Sequence, residues 1–187
     1  AGIVSIKTLE SQSGVMEPLR GEEMSPREGV GGPVVSRSVE VPAPPVRAVV
    51  GRAETPRVVW SAPDEPTVVG SGAATVVTAA GEDRFAEVRA GADALFDAGD
   101  VHAGTEAARP RLFGGFAFHE GGCDGDPWEP FPEARFVLPR VQVTFADNGA
   151  WLTVNAVGDD ADPDAVEERL AAERDRIAGL PREGDRP

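Results

Sequence analysis

The stretch that decides the fold runs from residue 136 to residue 157 and reads FVLPRVQVTFADNGAWLTVNAV. Two runs rich in β-branched and aromatic residues, Phe136–Phe145 and Ala150–Val157, flank the triplet Asp147-Asn148-Gly149. An Asn-Gly pair between alternating runs is the strongest short-range signal for a β-hairpin, because both residues tolerate the positive φ angles of a tight turn. The sequence therefore predicts two adjacent antiparallel strands.

The apolar positions of the first run change phase at Pro139. They have even numbers before it, at Phe136 and Leu138, and odd numbers after it, at Val141 and Phe145. One extra residue in a strand moves the following side chains to the opposite face of the sheet. We therefore predict a β-bulge beside Pro139.

Upstream, short β-branched runs alternate with Pro, Gly and Ser. Such runs favour strands, and prolines bound them because they cannot donate to a strand ladder. The predicted strands are Val34–Val41, Arg57–Ser61, Thr67–Gly72, Ala74–Thr78 and Arg111–Phe118. Consecutive short strands predict a meander, and the two glycines inside the last run indicate a bend or the close approach of another backbone.

Two segments have helical periodicity. From Phe85 to Phe96 the apolar residues fall on one stripe, and Gly99 follows. The second helix opens at Asp162-Pro163-Asp164, where an acidic cap precedes a proline at the first helical position, and it closes at Gly179. The pattern predicts an α+β fold, a mainly antiparallel sheet with two or three helices.

Length and charge limit the function. The 187 residues suit one domain, residues 34–187, preceded by a disordered or poorly ordered leader at residues 1–33. With 32 acidic and 18 basic residues the net charge is −14, which disfavours nucleic acid and anionic membranes as partners. The single cysteine and the lack of a long apolar run favour the cytoplasm.

The acid excess suggests adaptation to high salt, where counter-ions screen the self-repulsion of an acidic surface. All but one of the basic residues are arginine, the exception being Lys7. A GC-rich genome would also explain the arginine excess, but it would not explain the acid excess.

Three patterns could carry chemistry, and a structural interpretation is favoured for each. The stretch Val68–Thr75 resembles the start of a dinucleotide-binding turn, but a strand former follows it where a helix is required, so a tight turn or bend is favoured. Two acidic clusters could bind a hard cation, but neither has calcium-loop spacing, and the second suits helix capping. The clusters are Asp124, Asp126 and Glu129, and Asp159, Asp160, Asp162 and Asp164.

The chain offers two histidines, His102 and His119, as possible bases. A nucleophilic pair would have to combine His119 with Cys123 in one loop, and no basic neighbour closer than His119 lowers the pKa of that thiol. The tryptophans favour core or rim positions over a stacking platform, because no basic groove accompanies them. They are Trp60, Trp128 and Trp151. We assign no catalytic, cofactor-binding or metal-ligating residue.

Two segments resemble the N-terminal half of isochorismate synthases, members of the chorismate-utilising enzymes. They are Arg111–Phe118, read as RLFGGFAF, and Trp128–Arg140, read as WEPFPEARFVLPR. Val58–Ser61 and Val68–Ala73 are similar to the same region, so the resemblance runs from about Val34 to Leu180. It implies half of a layered α+β fold built on large antiparallel sheets.

The resemblance also implies a reaction. The family converts chorismate to isochorismate, for menaquinone-type quinone synthesis, with Mg²⁺, a lysine that activates water, and several glutamates, all in the later half. The sole lysine here, Lys7, lies in the leader, so the resemblance implies an N-terminal scaffold whose partner is the C-terminal catalytic half. Such a chain would be inactive alone, and Mg²⁺ would bind only in the complete enzyme.

Two alternatives stay open. One is a fragment of an anthranilate or salicylate synthase, because the product would be chosen in the other half. The other is a non-enzymatic acidic α+β interaction domain. If the scaffold interpretation holds, we expect the apolar seam toward the catalytic half to include Phe113, Phe116 and Phe118.

Overall fold

A computed structural model describes residues 5–6, 32–118, 132–147 and 149–180. In these ranges eight strands form one mixed, mostly antiparallel sheet with three helices, which confirms the predicted α+β class. The strands are β1 (Ser5–Ile6), β2 (Val35–Val41), β3 (Arg57–Trp60), β4 (Thr67–Ala79), β5 (Asp100–His102), β6 (Phe113–Phe116), β7 (Ala134–Ala146) and β8 (Gly149–Ala156). The helices are α1 (Val46–Arg52), α2 (Arg84–Phe96) and α3 (Pro163–Ala178).

Strand β7 is the centre of the sheet. Along one edge it pairs with β4 over nearly its whole length, and along the other it pairs first with β6 and then with β8. Beyond β8 the sheet continues through β2 to β5. Two pairs are parallel, β1 with β6 and β2 with β5, and the remaining pairs are antiparallel.

The predicted hairpin is confirmed. Strands β7 and β8 pair antiparallel from Val141 opposite Val154 to Ala146 opposite Gly149. Gly149 has φ +135°, a conformation open to glycine and strained for other residues. Asn148 lies outside the described residues. The turn therefore sets the register of the two strands that occupy the middle of the sheet.

The irregularity predicted beside Pro139 is present, but the extra residue is on the neighbouring strand. Pairing runs from Ala73 opposite Pro139 to Thr75 opposite Leu138, so Ala74 is the additional residue of β4. Consequently Thr67–Gly72 and Ala74–Thr78 are one strand with a bulge, and the predicted meander of three short strands is wrong. Strand formers on both sides keep the chain paired with β7 through the irregularity.

The two predicted helices form as expected. In α3, the Asp162 carboxylate accepts a hydrogen bond from the Ala165 amide at 2.8 Å, which satisfies one of the free N–H groups of the first turn. Val166 is fully buried on the sheet side of this helix. In α2, Val88 and Leu95 are buried, whereas Phe85 is 54% exposed, so the predicted stripe is correct except at its first residue.

The core is divided between the helices. At one end, α2 packs on a cluster that contains Phe136 and Leu138, the residues before Pro139. At the other end, Val143 lies in a cluster covered by residues of α1 and α3. The change of apolar phase along β7 thus has a physical reason, since the two ends of the strand pack against different helices. Burial of a side chain as large as Phe136 is worth about 3–5 kcal/mol against alanine.

Helix α1 and strand β5 are among the elements that the sequence did not predict. Helix α1 contains three valines, which have low helical propensity, and the burial of Val49 against the sheet stabilises it. Strand β5 has only three residues and depends on its parallel partner β2. Neither has a pattern that would show in the sequence alone.

The structure describes only a few residues of the predicted leader. Of residues 1–33, the structure describes Ser5–Ile6, paired parallel with Phe113 and Gly114, together with Gly32 and Pro33. These few residues do not test the order of the whole segment. Within the described residues, none of the three helices has both the length and the apolar character that crossing a bilayer requires.

Candidate functional site

Strand β6, from the segment Arg111–Phe118, pairs with β7, which begins in the segment Trp128–Arg140. Gly114 lies opposite Phe136, and a Cβ at position 114 would come within 2.6 Å of the Phe136 Cα atom. The close backbone approach predicted from the glycine pair is therefore confirmed at Gly114, whereas Gly115 faces open space. These segments build the middle of the sheet.

Aromatic packing extends from this point. The Phe116 ring contacts Phe136 at 5.0 Å between centroids and Phe85 at 4.4 Å. Phe118, the next aromatic residue of the run, is 88% exposed. Of the three residues expected at the apolar seam, Phe113 and Phe116 are half-buried and Phe118 faces solvent.

A second feature is a cavity of about 520 Å³ between the sheet and helices α1 and α3, here named the arginine-rimmed cavity. Its floor is apolar, with Val69 and Val143 almost completely buried and Leu180 7% exposed. Charged residues form its rim. They are Arg52, Glu54, Arg140, Asp160, Arg169, Glu173 and Arg176.

The ion pairing of this rim is incomplete. Arg176 binds Glu173 at 2.6 Å, one turn away on α3. In the described ranges, Arg52, Arg140 and Arg169 form no ion pair within 4.0 Å. Arg140 is held in place by a hydrogen bond from its Nη2 to the Ala73 carbonyl at 3.2 Å. Three arginines thus keep donor groups available at one cavity.

A buried arginine joins β2, β5 and α3. The Arg37 side chain is 8% exposed, and its Nη2 donates to the Asp100 carboxylate at 2.7 Å. Its Nη1 also donates to the Asp100 carbonyl at 3.1 Å, and its Nε lies 3.5 Å from Glu167. This contact holds the pKa of Asp100 below its ordinary value, because the guanidinium favours the charged carboxylate. The cluster anchors the short edge strand.

A row of buried polar side chains crosses β2, β7 and β8. The Ser36 hydroxyl donates to Asn155, and Asn155 donates to the Pro139 carbonyl, both at 2.8 Å. The Gln142 amide nitrogen donates to Thr144 at 3.0 Å. Within the described residues, four buried side-chain polar atoms lack hydrogen-bond partners: Gln142 Oε1, Trp151 Nε1, Arg37 Nε and Arg84 Nε. The sequence does not reveal such a network, because polar and apolar residues alternate along these strands as they do in a strand whose polar face is exposed to solvent.

The glycine-containing stretch has a structural role. Gly72 has φ +61° at the irregular part of β4, and its amide donates to the Glu54 carbonyl at 3.2 Å. The residues after it continue as a strand, so no helix N-terminus faces this turn. The stretch is thus one strand with a bulge, where the sequence analysis favoured a tight turn or bend between two strands.

The second acidic cluster serves helix α3. Asp162 caps the helix, Asp164 lies in its first turn, and Asp159 and Asp160 belong to the preceding 3-10 turn. In the part of the chain that the structure describes, no group of three or more His, Cys, Asp or Glu residues is arranged to hold a metal ion. The first cluster, Asp124, Asp126 and Glu129, lies outside the described residues, as does Lys7.

Of the remaining candidates, the structure describes one histidine and two tryptophans. His102 is 72% exposed and lies 3.3 Å from Asp100, beside the Arg37 contact. His119, Cys123 and Trp128 lie outside the described residues. Trp60 is half-buried and donates to Glu65 at 3.0 Å, and the half-buried Trp151 ring is close to Gly104. Both tryptophans are half-buried, which agrees with the rim positions predicted for such residues.

Comparison with known proteins gives the family. Residues 30–186 match the family described as "Chorismate binding enzyme", which is most of the chain. The chain belongs to the chorismate-binding enzyme family. The resemblance found in its two motif segments is thereby confirmed, and the described residues of those segments, 111–118 and 132–140, include β6 and the first part of β7.

A curated relative within the chorismate-utilising enzymes is isochorismate synthase MenF of Bacillus subtilis (strain 168). The chain is 34% identical to it over 125 residues. The match covers 62% of this chain and 26% of the relative. The chain therefore spans about a quarter of the length of the relative that it matches.

Proposed function

We propose that this chain is the sheet scaffold of an isochorismate synthase, an enzyme that converts chorismate to isochorismate for menaquinone-type quinone synthesis. The family match and the relative named isochorismate synthase support the reaction class. The observation that carries the scaffold role is the position of the motif segments. Their described residues form β6 and the first part of β7, the strand with which β4, β6 and β8 all pair.

The reacting groups belong, in this proposal, to a C-terminal catalytic half. We assign Mg²⁺ to that half because the family resemblance places the metal-holding glutamates there. The exposed aromatic surface of Phe85 and Phe118 is the face we assign to the contact between the halves. An interaction domain without enzyme chemistry is less well supported, because the matching family is one of enzymes.

A direct assay tests the inactivity of the chain. The purified chain is incubated with chorismate and Mg²⁺, and isochorismate, anthranilate and salicylate are separated by chromatography. We expect none of the three products. Formation of any of them would place the reacting groups inside this chain and overturn the scaffold role.

A chimera tests the scaffold role itself. The aligned segment of the Bacillus subtilis enzyme is replaced by the matching segment of this chain, and isochorismate formation is compared with that of the parent and of a version with the segment deleted. We expect the chimera to make isochorismate and the deletion to make none. Phe118→Ser in the chimera should weaken activity, whereas Val59→Ser, an exposed change on β3, should not. A soluble, folded chimera without activity would contradict the proposal.

A further inference from the structure

We propose that one water molecule is bound inside the protein, between the β7–β8 hairpin and the segment 103–112, with the side chains of Gln142, Thr144 and Trp151 as its hydrogen-bond partners. The site completes the buried polar row of the sheet. It goes beyond the proposed scaffold function, because it concerns the interior of this chain and does not depend on the reaction of the complete enzyme.

Two buried atoms with opposite hydrogen-bonding roles are the first argument. The Gln142 Oε1 atom is an acceptor and the Trp151 Nε1 atom is a donor, and within the described residues neither has a partner. The other two such atoms are both donors, on Arg37 of β2 and Arg84 of α2, so they form no donor–acceptor pair. Since an unpaired buried polar group opposes folding, a donor and an acceptor in one region favour a shared partner.

The register of the hairpin brings these two side chains to one face of the sheet. Gln142 lies directly opposite Thr153, and Trp151 lies directly opposite Thr144. Because side chains alternate along a strand, all four point to the same face. Gln142 and Trp151 are therefore diagonal neighbours, about 7–8 Å apart along such a pair, a separation that two long side chains and one water molecule can span.

The other contacts of Gln142 fix the orientation of its amide group. The Nε2 atom donates to the Arg109 carbonyl at 3.2 Å and to the Thr144 hydroxyl at 3.0 Å. A carbonyl can only accept, so the nitrogen and the oxygen of this amide cannot exchange places. The Thr144 hydroxyl, which accepts from Gln142, keeps its own proton to donate. A water here would accept from Trp151 and Thr144 and donate to Gln142, and about three partners are usual for buried water.

The segment 103–112 covers the site. Gln142 and Thr144 are fully buried, and the Thr153 hydroxyl beside them donates to the Ala108 carbonyl at 2.8 Å. The six-membered ring of Trp151 lies so close to Gly104 that a Cβ at position 104 would collide with it. Exchange with bulk solvent therefore requires movement of this segment, and we expect the bound water to stay much longer than the water of the protein surface.

The experiment is water-selective NOE and ROE spectroscopy of the ¹⁵N-labelled full chain. It is done at the lowest KCl concentration at which the far-UV circular dichroism spectrum shows a folded chain. A long-lived bound water gives NOE and ROE cross-peaks of opposite sign, whereas surface water and exchanging protons give equal signs. We expect opposite signs at the indole N–H of Trp151. The indole of Trp60, which donates to Glu65 at the rim, is the internal reference and should not show them.

Variants test the partners of the water. Gln142→Met removes the acceptor and should abolish the water cross-peak of Trp151, whereas Trp60→Phe should leave it unchanged. If Gln142→Met does not fold, the side-chain amide protons of Gln142 are followed in Trp151→Phe, which removes the donor. Their cross-peaks with water should then be lost.

A double-mutant cycle gives an independent measurement. From folding equilibrium constants in urea titration, we expect Gln142→Met and Trp151→Phe to be coupled by at least about threefold. The matched pair Gln142→Met and Trp60→Phe should be additive to within about twofold. The proposal is overturned if the Trp151 cross-peaks have equal signs or are missing, if they persist in Gln142→Met, or if the two pairs of variants show the same coupling.

Discussion

Replacement of Gly114 by alanine should destabilise the chain strongly. A Cβ at this position would lie 2.6 Å from the Phe136 Cα atom and 2.8 Å from the Arg135 carbonyl carbon. Carbon atoms pack best about 3.5–4.0 Å apart, and the Arg135 carbonyl oxygen would lie closer to the new Cβ than either carbon, so β6 would have to move away from β7 by more than about 1 Å. All three atoms belong to the backbone of the central strand and cannot rotate aside. Overpacking of this kind costs about 1–3 kcal/mol, and we expect the upper end of that range.

Gly115→Ala is the matched control. No atom lies within 4 Å of a Cβ at position 115, and a glycine replaced at such a position gains about 0.4–1 kcal/mol through the unfolded state. The free energies of unfolding should therefore differ by about 3–4 kcal/mol between the two variants, which urea titration followed by circular dichroism can measure. The midpoint temperature of Gly114→Ala should fall by about 6–12 °C. Equal stability of the two variants within about 0.5 kcal/mol would refute the argument.

Three further predictions concern caps and charges. Asp162→Ala should lower the free energy of unfolding by about 1 kcal/mol in urea titration, because it removes the cap of α3. Because Arg37 lowers the pKa of Asp100, the Asp100 carboxylate stabilises the fold above about pH 4, and this stabilisation is lost as the pH falls further. Asp100→Asn should therefore reduce the loss of stability between neutral and acid pH, measured by circular dichroism. Molar KCl should raise the unfolding midpoint if the surface is adapted to salt, and equal midpoints in dilute buffer and molar salt would reject that adaptation.

The parts of the fold that the sequence predicted are those fixed by local chemistry. Asn-Gly turns and acidic caps followed by proline act through hydrogen bonds within a few residues, so the β7–β8 hairpin and α3 could be placed with nearly correct ends. Gly114 could also be predicted although its partner Phe136 is distant in the chain, because a glycine inside an aromatic strand indicates the close approach of another backbone.

The elements that the sequence did not predict depend on contacts with residues that are distant along the chain. Helix α1 has a β-branched sequence, and it forms because Val49 packs against the sheet. Strand β5 is three residues long and is held by Arg37, which is far from it in the chain. The bulge was placed beside Pro139, and the sequence could not show that the extra residue is Ala74 on the other strand.

The arginine-rimmed cavity has the same origin. Arg52, Arg140 and Arg169 carry no motif, since each is an isolated basic residue on its own element. The only signal was compositional, an arginine excess within an acidic chain, and codon usage explains that excess as well as function does.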